Sequence, residues 1–127
     1  MLPLLKREAL ERALYSCVEM GANEIRLVVT KKTTREWGGE KEFARLQRII
    51  ISAAEQSKNF SIPLLYQPER FETVIDNSNS DVCLFADPEG VPIGQVLKNT
   101  ISSLIILVGP EGDLTEEEKA LVKKKSF

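Results

Sequence analysis

The strongest constraint on the fold is a recurring order of short apolar runs separated by helical patterns. The run Leu104–Val108 is entirely aliphatic, and Val82–Ala86 is almost as apolar. Similar runs lie at residues 25–30 and 62–66, where Pro63 puts the second run at a sheet edge or at a strand start. Because the runs are continuously apolar, they predict a parallel sheet with helices on both faces and Leu104–Val108 at its centre.

Helical patterns fill the spaces between these runs. Apolar residues recur at helical spacing within residues 5–20 and 40–58, and a shorter helix fits residues 69–76. Residues 93–99 have room for one or two helical turns. Strands that alternate with helices in this way are typical of an α/β protein.

The last helix has the clearest start signal. Thr115 followed by Glu118 is a capping-box pattern, in which each side chain bonds the other residue's backbone N–H. Neither an internal repeat nor a linker interrupts the sequence, which therefore predicts a single α/β domain over residues 1–127.

Composition restricts the possible functions. The chain has 17 Lys and Arg against 19 Asp and Glu, a net charge of −2, so any RNA contact must come from a local patch. It has no histidine, which removes the usual general base and the commonest zinc ligand, and we expect no metal site. Cys17 and Cys83 lie far apart, as in reduced proteins, which predicts a cytoplasmic location. No apolar run is long enough to span a membrane.

Three predicted strands end in polar segments at residues 30–35, 86–90 and 109–112. In an open parallel sheet, ligands bind beyond the carboxyl ends of the strands. In the last segment Pro110 fixes one backbone angle, Gly112 can supply a positive φ, and Glu111 lies at the tip. This pattern predicts a rigid ligand-binding turn, and the alternative is an ordinary strand-to-helix turn with a solvated glutamate.

Two other polar groups are candidates for contact with a substrate. Lys31, Lys32 and Arg35, with Trp37 nearby, combine cations with an aromatic ring, which suits a nucleic-acid phosphate and base. The alternative is a solvated charged loop. The residues 55–56, Glu-Gln, could present polar groups to a substrate or could simply be an exposed helix end.

Four segments in a fixed order carry a resemblance to a known family. They are Glu19-Met-Gly21, Ala53-Ala-Glu-Gln-Ser57, Leu107-Val-Gly-Pro-Glu-Gly112 and Leu114-Thr-Glu-Glu-Glu118. Together they resemble the ribosomal RNA small-subunit methyltransferase E (RsmE) family, knotted α/β enzymes of the SPOUT class, over residues 6–125. The resemblance implies S-adenosylmethionine as methyl donor and uridine N3 of small-subunit ribosomal RNA as acceptor. It also implies a homodimer with its active site at the subunit interface.

The resemblance also implies roles for individual residues. Glu111 is the candidate catalytic residue, since without histidine the proton acceptor must be a carboxylate or water. Lys32 would lie on the substrate side, with Arg35 from the basic loop. The residues implied around the cofactor are Ala86, Val108, Gly109, Glu111 and Gly112, and those implied on the RNA side also include Glu55 and Gln56.

The sequence departs from the family pattern at several positions. Lys32 stands where an arginine is usual, Lys58-Asn59 replaces a Gly-Arg pair, and Asp113 replaces a third glycine. The family's N-terminal β-rich RNA-binding domain and its C-terminal knot segment have no counterpart here. We therefore expect a fragment or degraded copy with an incomplete knot and weak or no activity. The alternative is a non-catalytic α/β RNA-binding or interaction module.

Overall fold

The computed structural model describes residues 1–97 and 100–127 and contains alternating strands and helices. The strands are β1 (Leu2–Pro3), β2 (Glu24–Val29), β3 (Leu64–Arg70), β4 (Val82–Ala86) and β5 (Leu104–Val108). The helices are α1 (Arg7–Glu19), α2 (Gly39–Ser57), α3 (Phe71–Asp76), α4 (Ile93–Val96) and α5 (Glu116–Lys124). In the described residues, no helix combines the length and the hydropathy that crossing a membrane requires.

All strand pairs are parallel, as predicted. One sheet has the order β1-β2-β3, and β4 pairs with β5. Met1 joins the two, because its amino group donates to the Ile106 carbonyl at 2.7 Å and its carbonyl accepts from Val108 N–H at 3.2 Å. The spatial order is therefore β3-β2-β1-β5-β4, with β5 in the interior and the carboxyl ends of all strands at one edge.

The first core lies between one face of β1–β3 and the helices α1 and α2. Both helices carry their apolar residues at helical spacing, so a continuous apolar stripe of each faces the sheet. The Tyr15 and Ser52 hydroxyl oxygens, 3.3 Å apart, add a polar link between the two helices. The buried members of this core include Leu10, Leu14, Val18, Ile25, Leu27, Leu46, Ile50, Ala53 and Leu65.

The second core lies on the opposite face, under α3 and α5. Leu27 and Val28 are consecutive in β2, so their side chains point to opposite faces, and both are fully buried. The sheet therefore has helices on both faces, as the continuous apolar runs predict. The buried members of the second core are Val28, Phe71, Val74, Ile75, Leu107, Leu114 and Val122.

Strand β5 differs from the prediction that it is buried on both faces. Leu107 is fully buried, but the alternate residues Leu104, Ile106 and Val108 are 37%, 43% and 41% exposed. The first core is built from β1–β3 with α1 and α2 and contains no residue of β4 or β5. On that side of the sheet the described residues leave an open apolar stripe.

Element boundaries differ most around β3. The predicted strand at residues 62–66 begins instead at Leu64, whose N–H donates to the Asn23 carbonyl at 2.9 Å, and it runs on to Arg70. Between Arg26 and Val28 the register with β3 shifts by one residue, and Pro68 lies in this bulge. A bulge tolerates proline because its extra residue makes no ladder hydrogen bond. In the predicted segment 93–99, the helix covers Ile93–Val96, and residues 98 and 99 lie outside the described residues.

Candidate functional site

A cleft of about 310 Å³ lies beyond the carboxyl ends of β4 and β5. This is the position that strand topology predicts for a ligand. Four of the five predicted cofactor residues line it together, and Gly112 is the fifth, just outside the lining. The lining residues are Phe85, Ala86, Asp87, Pro88, Val108, Gly109, Pro110, Glu111 and Asp113.

The segment 109–113 forms a tight turn, but its left-handed residue is not the one predicted. Asp113 N–H donates to the Pro110 carbonyl at 2.9 Å, and Asp113 has a φ of 60°. Gly112 does not have a positive φ, so the expectation for that glycine is wrong. Asp tolerates the left-handed region because its short side chain bonds locally, here by accepting from Leu114 N–H at 2.7 Å. The family's third glycine would fit this φ without strain.

Gly109 keeps the floor of the cleft open. A Cβ built on this residue would lie 3.7 Å from the Phe85 ring and 3.9 Å from an Asp113 carboxylate oxygen. These are ordinary contact distances, so the protein itself has room for a methyl group there. Both neighbours line the cleft, and the methyl group would therefore occupy space that is otherwise available to a ligand.

Asp113 adds a fixed negative charge to the cleft. Lys119 Nζ lies 2.5 Å from its Oδ2, and this hydrogen bond, helped by Leu114 N–H, holds the pKa of Asp113 below its ordinary value. The same bond raises the pKa of Lys119. Asp87 and Glu111 also line the cleft, so its polar side chains are carboxylates. A cleft with this lining favours a cationic ligand over an anionic one.

Lys32, in the loop after β2, reaches the turn beside the cleft. Its ammonium donates to the Gly112 carbonyl at 2.7 Å, which brings a cation to the turn that holds Glu111. Lys32 and the segment 109–112 therefore lie close together, and the role of Lys32 toward the substrate stays a prediction. Lys31, in contrast, turns away, because its ammonium bonds Glu117 at the start of α5, and that bond raises the pKa of Lys31.

Glu118 holds these two loops together. It is 2% exposed, and the predicted capping box with Thr115 is present. One carboxylate oxygen accepts from Thr115 N–H at 2.8 Å, and the other accepts from Lys31 N–H at 2.8 Å. The capping pattern predicts the first bond, but no local signal predicts the second, which spans 87 residues of sequence.

The basic loop does not form one continuous patch. Arg35 turns toward α2, where its Nη2 donates to Glu42 at 2.6 Å. The Trp37 ring packs against the first core and its Nε1 donates to Gln67, so it is not an open stacking surface. The sequence of residues 31–37 indicates a basic loop with an aromatic ring, but it does not predict that these side chains bond separate partners.

Glu55 and Gln56 lie away from the cleft. Helix α2 follows the carboxyl end of β2, so its last turn reaches the opposite edge of the sheet. There, Asn59 N–H donates to the Ala54 carbonyl and the Asn59 amide donates to the Val18 carbonyl. Both predicted residues are exposed at that edge, and within one chain the structure does not bring them together with Lys32. Their role toward RNA stays a prediction.

The described residues contain no group of three or more Cys, Asp or Glu side chains arranged to hold a metal ion. The expectation that the chain has no metal site stays a prediction.

Comparison with known proteins relates the whole chain to RNA methyltransferases. The ribosomal RNA small subunit methyltransferase E of Mesomycoplasma hyopneumoniae is 26% identical over 128 residues, covering 99% of this chain and 56% of that protein. The protein of the same name from Synechocystis is 28% identical over 130 residues, covering 98% of this chain and 43% of that protein. The chain thus spans about half the length of these curated relatives.

A solved structure shares the fold. The crystal structure of a ribosomal RNA small subunit methyltransferase E from Neisseria gonorrhoeae, bound to S-adenosyl methionine, superposes with a TM-score of 0.85 at 24% identity. The match covers 98% of this chain and 53% of that chain. The parallel α/β fold is therefore confirmed, and the incomplete knot stays a prediction. The RNA methyltransferase domain family matches residues 1–127 in full, and the chain belongs to that family.

Proposed function

We propose that this chain is the cofactor-binding part of an S-adenosylmethionine-dependent methyltransferase acting on uridine N3 of small-subunit ribosomal RNA. The observation that carries the proposal is the cleft at the carboxyl ends of β4 and β5. It occupies the ligand position of a parallel α/β sheet in a chain of the RNA methyltransferase domain family. A cytoplasmic location, where ribosomal RNA is available, follows from the same proposal.

The residues of the cleft fit the proposed cofactor. When bound, S-adenosylmethionine supplies a methyl group on a cationic sulfur, which leaves as a neutral thioether. The cleft offers apolar walls from Phe85, Ala86 and Val108 for a flat ring, and carboxylates for a cation. Gly109 leaves room for close approach, so backbone N–H and C=O groups of the turn can bond the edge of a base.

Glu111 and Lys32 have complementary roles in the proposed reaction. Uracil N3 carries a proton that must leave as the methyl group arrives, and the Glu111 carboxylate, exposed at the cleft, can accept it. As the proton leaves, negative charge develops on the uracil ring. The Lys32 ammonium, held at the Gly112 carbonyl, can stabilise that charge, although it lacks the two-pronged geometry of an arginine.

The open apolar stripe supports the proposed homodimer. Leu104, Ile106 and Val108 are each more than a third exposed on one face of β5. Val91 and Ile93, which follow β4 in the chain, are 67% and 54% exposed. A second copy that covers this stripe would remove the apolar area from water and would add a wall near the carboxyl end of β5.

We expect weak cofactor binding and little methyl transfer from the 127-residue chain. The ends of β4 and β5 and the loops that follow them supply all the residues that line the cleft, so the described residues enclose a ligand on one side only. Ligands gain affinity from enclosure, because buried surface and hydrogen bonds increase together. A second cofactor-contacting wall would therefore raise the affinity by a large factor.

Transfer of a labelled methyl group to small-subunit ribosomal RNA tests the proposal. We expect slow incorporation that yields N3-methyluridine after digestion, and a further large loss for Glu111→Gln with unchanged thermal unfolding. Methylation at another atom would contradict the assigned acceptor. Full turnover by the chain alone would contradict the expectation that a cleft enclosed on one side binds the cofactor weakly. If neither incorporation nor cofactor binding is detected, the non-catalytic RNA-binding module is the better description.

A further inference from the structure

A second cleft, of about 420 Å³, lies where α1 and α2 begin. Four cationic side chains and two carboxylates line it, although the chain as a whole is slightly acidic. None of its residues lines the cleft beside β5. The lining residues are Arg7, Arg35, Glu36, Gly38, Lys41, Glu42 and Arg45.

Two carboxylates at this cleft, Glu42 and Glu11, are shared among its cations. Glu42 accepts from Arg35 at 2.6 Å and from Gly38 N–H at 2.8 Å, and it also lies 3.6 Å from Arg45. Glu11 likewise pairs with both Arg7 and Arg45. Each of these acids serves more than one cation, so the cleft keeps an excess of positive charge.

Some donors of the cleft have no acceptor in the described residues. Arg35 Nε is buried without a hydrogen-bond partner there, and Lys41 forms no ion pair with a described residue. Burial, together with repulsion from Arg7 and Arg48, lowers the pKa of Arg45, as expected where several cations lie close together. An anion in the cleft would relieve that repulsion and would accept the unused hydrogen bonds.

Two helix N-termini meet at the same place. Arg7 is the first residue of α1, and Gly38 and Lys41 belong to the start of α2. The N-cap residues Lys6 and Gly38 make no side-chain capping bond, and at the start of α2 the Glu42 carboxylate accepts from the Gly38 N–H. Uncapped N–H groups and the helix dipole both favour an anion, in particular a phosphate.

The position of this cleft relates it to the first one. Lys32 and Arg35 are three residues apart in one loop, a separation of at most about 10 Å between their Cα atoms. Lys32 contacts the Gly112 carbonyl beside the first cleft, and Arg35 lines the second. A strand of RNA with its acceptor base beside the first cleft, near Lys32, can therefore extend its backbone toward the second cleft.

We infer that the cleft of Arg7, Arg35, Lys41 and Arg45 binds a backbone phosphate of the RNA strand whose uridine is methylated beside the cofactor cleft. The inference rests on the proposed function, since it takes RNA as the substrate. It assigns to α1 and α2 a substrate contact that the sequence pattern of the basic loop does not reveal. The contact reads phosphate charge, not base identity.

Salt-dependent binding of a short fluorescein-labelled oligouridylate tests the inference. Fluorescence anisotropy would give the affinity of the unaltered chain, Arg7→Gln and Lys41→Gln over a range of potassium chloride concentrations. Lys123→Gln is the matched control, because it removes one exposed positive charge at the far end of α5. Each lost phosphate contact should reduce the log–log salt slope by about 0.7 for a single strand.

The inference predicts a reduced slope and several-fold weaker binding for Arg7→Gln and Lys41→Gln, with the control unchanged and all chains equally folded by circular dichroism. Equal slopes in all four proteins, or equal losses in all three variants, would overturn the inference and leave RNA binding in place. If the unaltered chain binds no RNA, the proposed RNA substrate itself is overturned. Titration with S-adenosylmethionine then decides separately whether the cofactor assignment stands.

Discussion

The two ends of the sheet differ in how completely helices cover them. At β1–β3, the helices α1 and α2 bury one face so that Leu10, Leu14 and Leu46 are fully removed from water. At β4–β5, the same side of the sheet is open, and Ile106 and Val108 are more than 40% exposed. The closed end contains the first core, whereas the open end carries the candidate cofactor cleft.

This difference indicates that the closed end of the sheet contributes most to stability and that the open end provides the candidate ligand site. Side chains packed on all sides resist change, because removing atoms from them leaves a cavity. A ligand site needs backbone and side chains that are not already satisfied by the protein, and loops at an open sheet edge provide them. The turn 109–113 can line the cleft because the surrounding residues leave one side of this turn uncovered.

Substitution of one aliphatic residue at each end measures the difference directly. Leu14→Ala at the closed end should lower the free energy of unfolding by about 3 kcal/mol, since Leu14 is fully buried. Ile106→Ala at the open end should cost about 1 kcal/mol or less in a monomer, since nearly half of its surface is already in water. Urea denaturation of both variants at low protein concentration gives the two values, and equal losses would contradict the division.

Glu118 links the two ends, so its replacement should affect both. Glu118→Gln cannot accept from both Lys31 N–H and Thr115 N–H, and one buried donor is left unpaired, at about 2 kcal/mol. Thr115→Ala is the matched control, because it removes the hydroxyl of the cap but keeps the bond to Lys31, at about 1 kcal/mol. Amide hydrogen exchange should increase at Lys31 and Lys32 only in Glu118→Gln. Equal exchange in both variants would show that the long-range bond is not what holds the loop.

The open stripe should control self-association. Ile106→Lys places a charge in the middle of the stripe and should weaken the proposed homodimer at least tenfold, or about 1.4 kcal/mol, through the cost of burying it. Sedimentation velocity over a concentration series gives the dissociation constant, with Ile51→Lys on the exposed side of α2 as the control. A monomeric unaltered chain at high micromolar concentration would contradict the dimer itself.

The stability of the open end should also depend slightly on pH, through the pair of Asp113 and Lys119. The folded chain lowers the pKa of Asp113 from its ordinary 3.8, through the bond from Lys119. A depressed pKa contributes stability above the unfolded-state value, and that stability is lost as the pH falls below it. The melting temperature of Asp113→Asn should therefore fall less than that of the unaltered chain as the pH is lowered below about 4. Identical acid profiles would show that the Asp113–Lys119 pair adds nothing in solution.

Periodicity predicts the regular elements because local sequence decides them. The bounds of Val82–Ala86 and Leu104–Val108 and the capping box at Thr115 agree with the structure. The exposure of Ile106 could not be predicted in this way, because it depends on where α1 and α2 end relative to the sheet. The continuation of β3 beyond Tyr66 could not be predicted because of Pro68. A proline predicts a strand end unless a bulge accommodates it.

The candidate site shows the same limit. Two observations identify Ala86, Val108, Gly109 and Glu111: their position at the carboxyl ends of strands, and the family resemblance. These residues line one cleft. The left-handed residue is Asp113 instead of Gly112, because the turn is closed from Pro110 to Asp113. The partners of Lys32 and Arg35 depend on contacts with distant parts of the chain, at Gly112 and in α2. No pattern within residues 31–37 could reveal either contact.

Titration of the ¹⁵N-labelled chain with S-adenosylmethionine, followed by amide chemical shifts, tests the central claim that the open end is a cofactor site. We predict saturable shifts confined to residues 85–88 and 108–113, and no such shifts in Gly109→Val, whose side chain would fill the cleft. Gly94→Ala, whose added Cβ meets nothing within 4 Å, should bind like the unaltered chain. Shifts that centre on the closed end, or equal binding by Gly109→Val, would contradict the account.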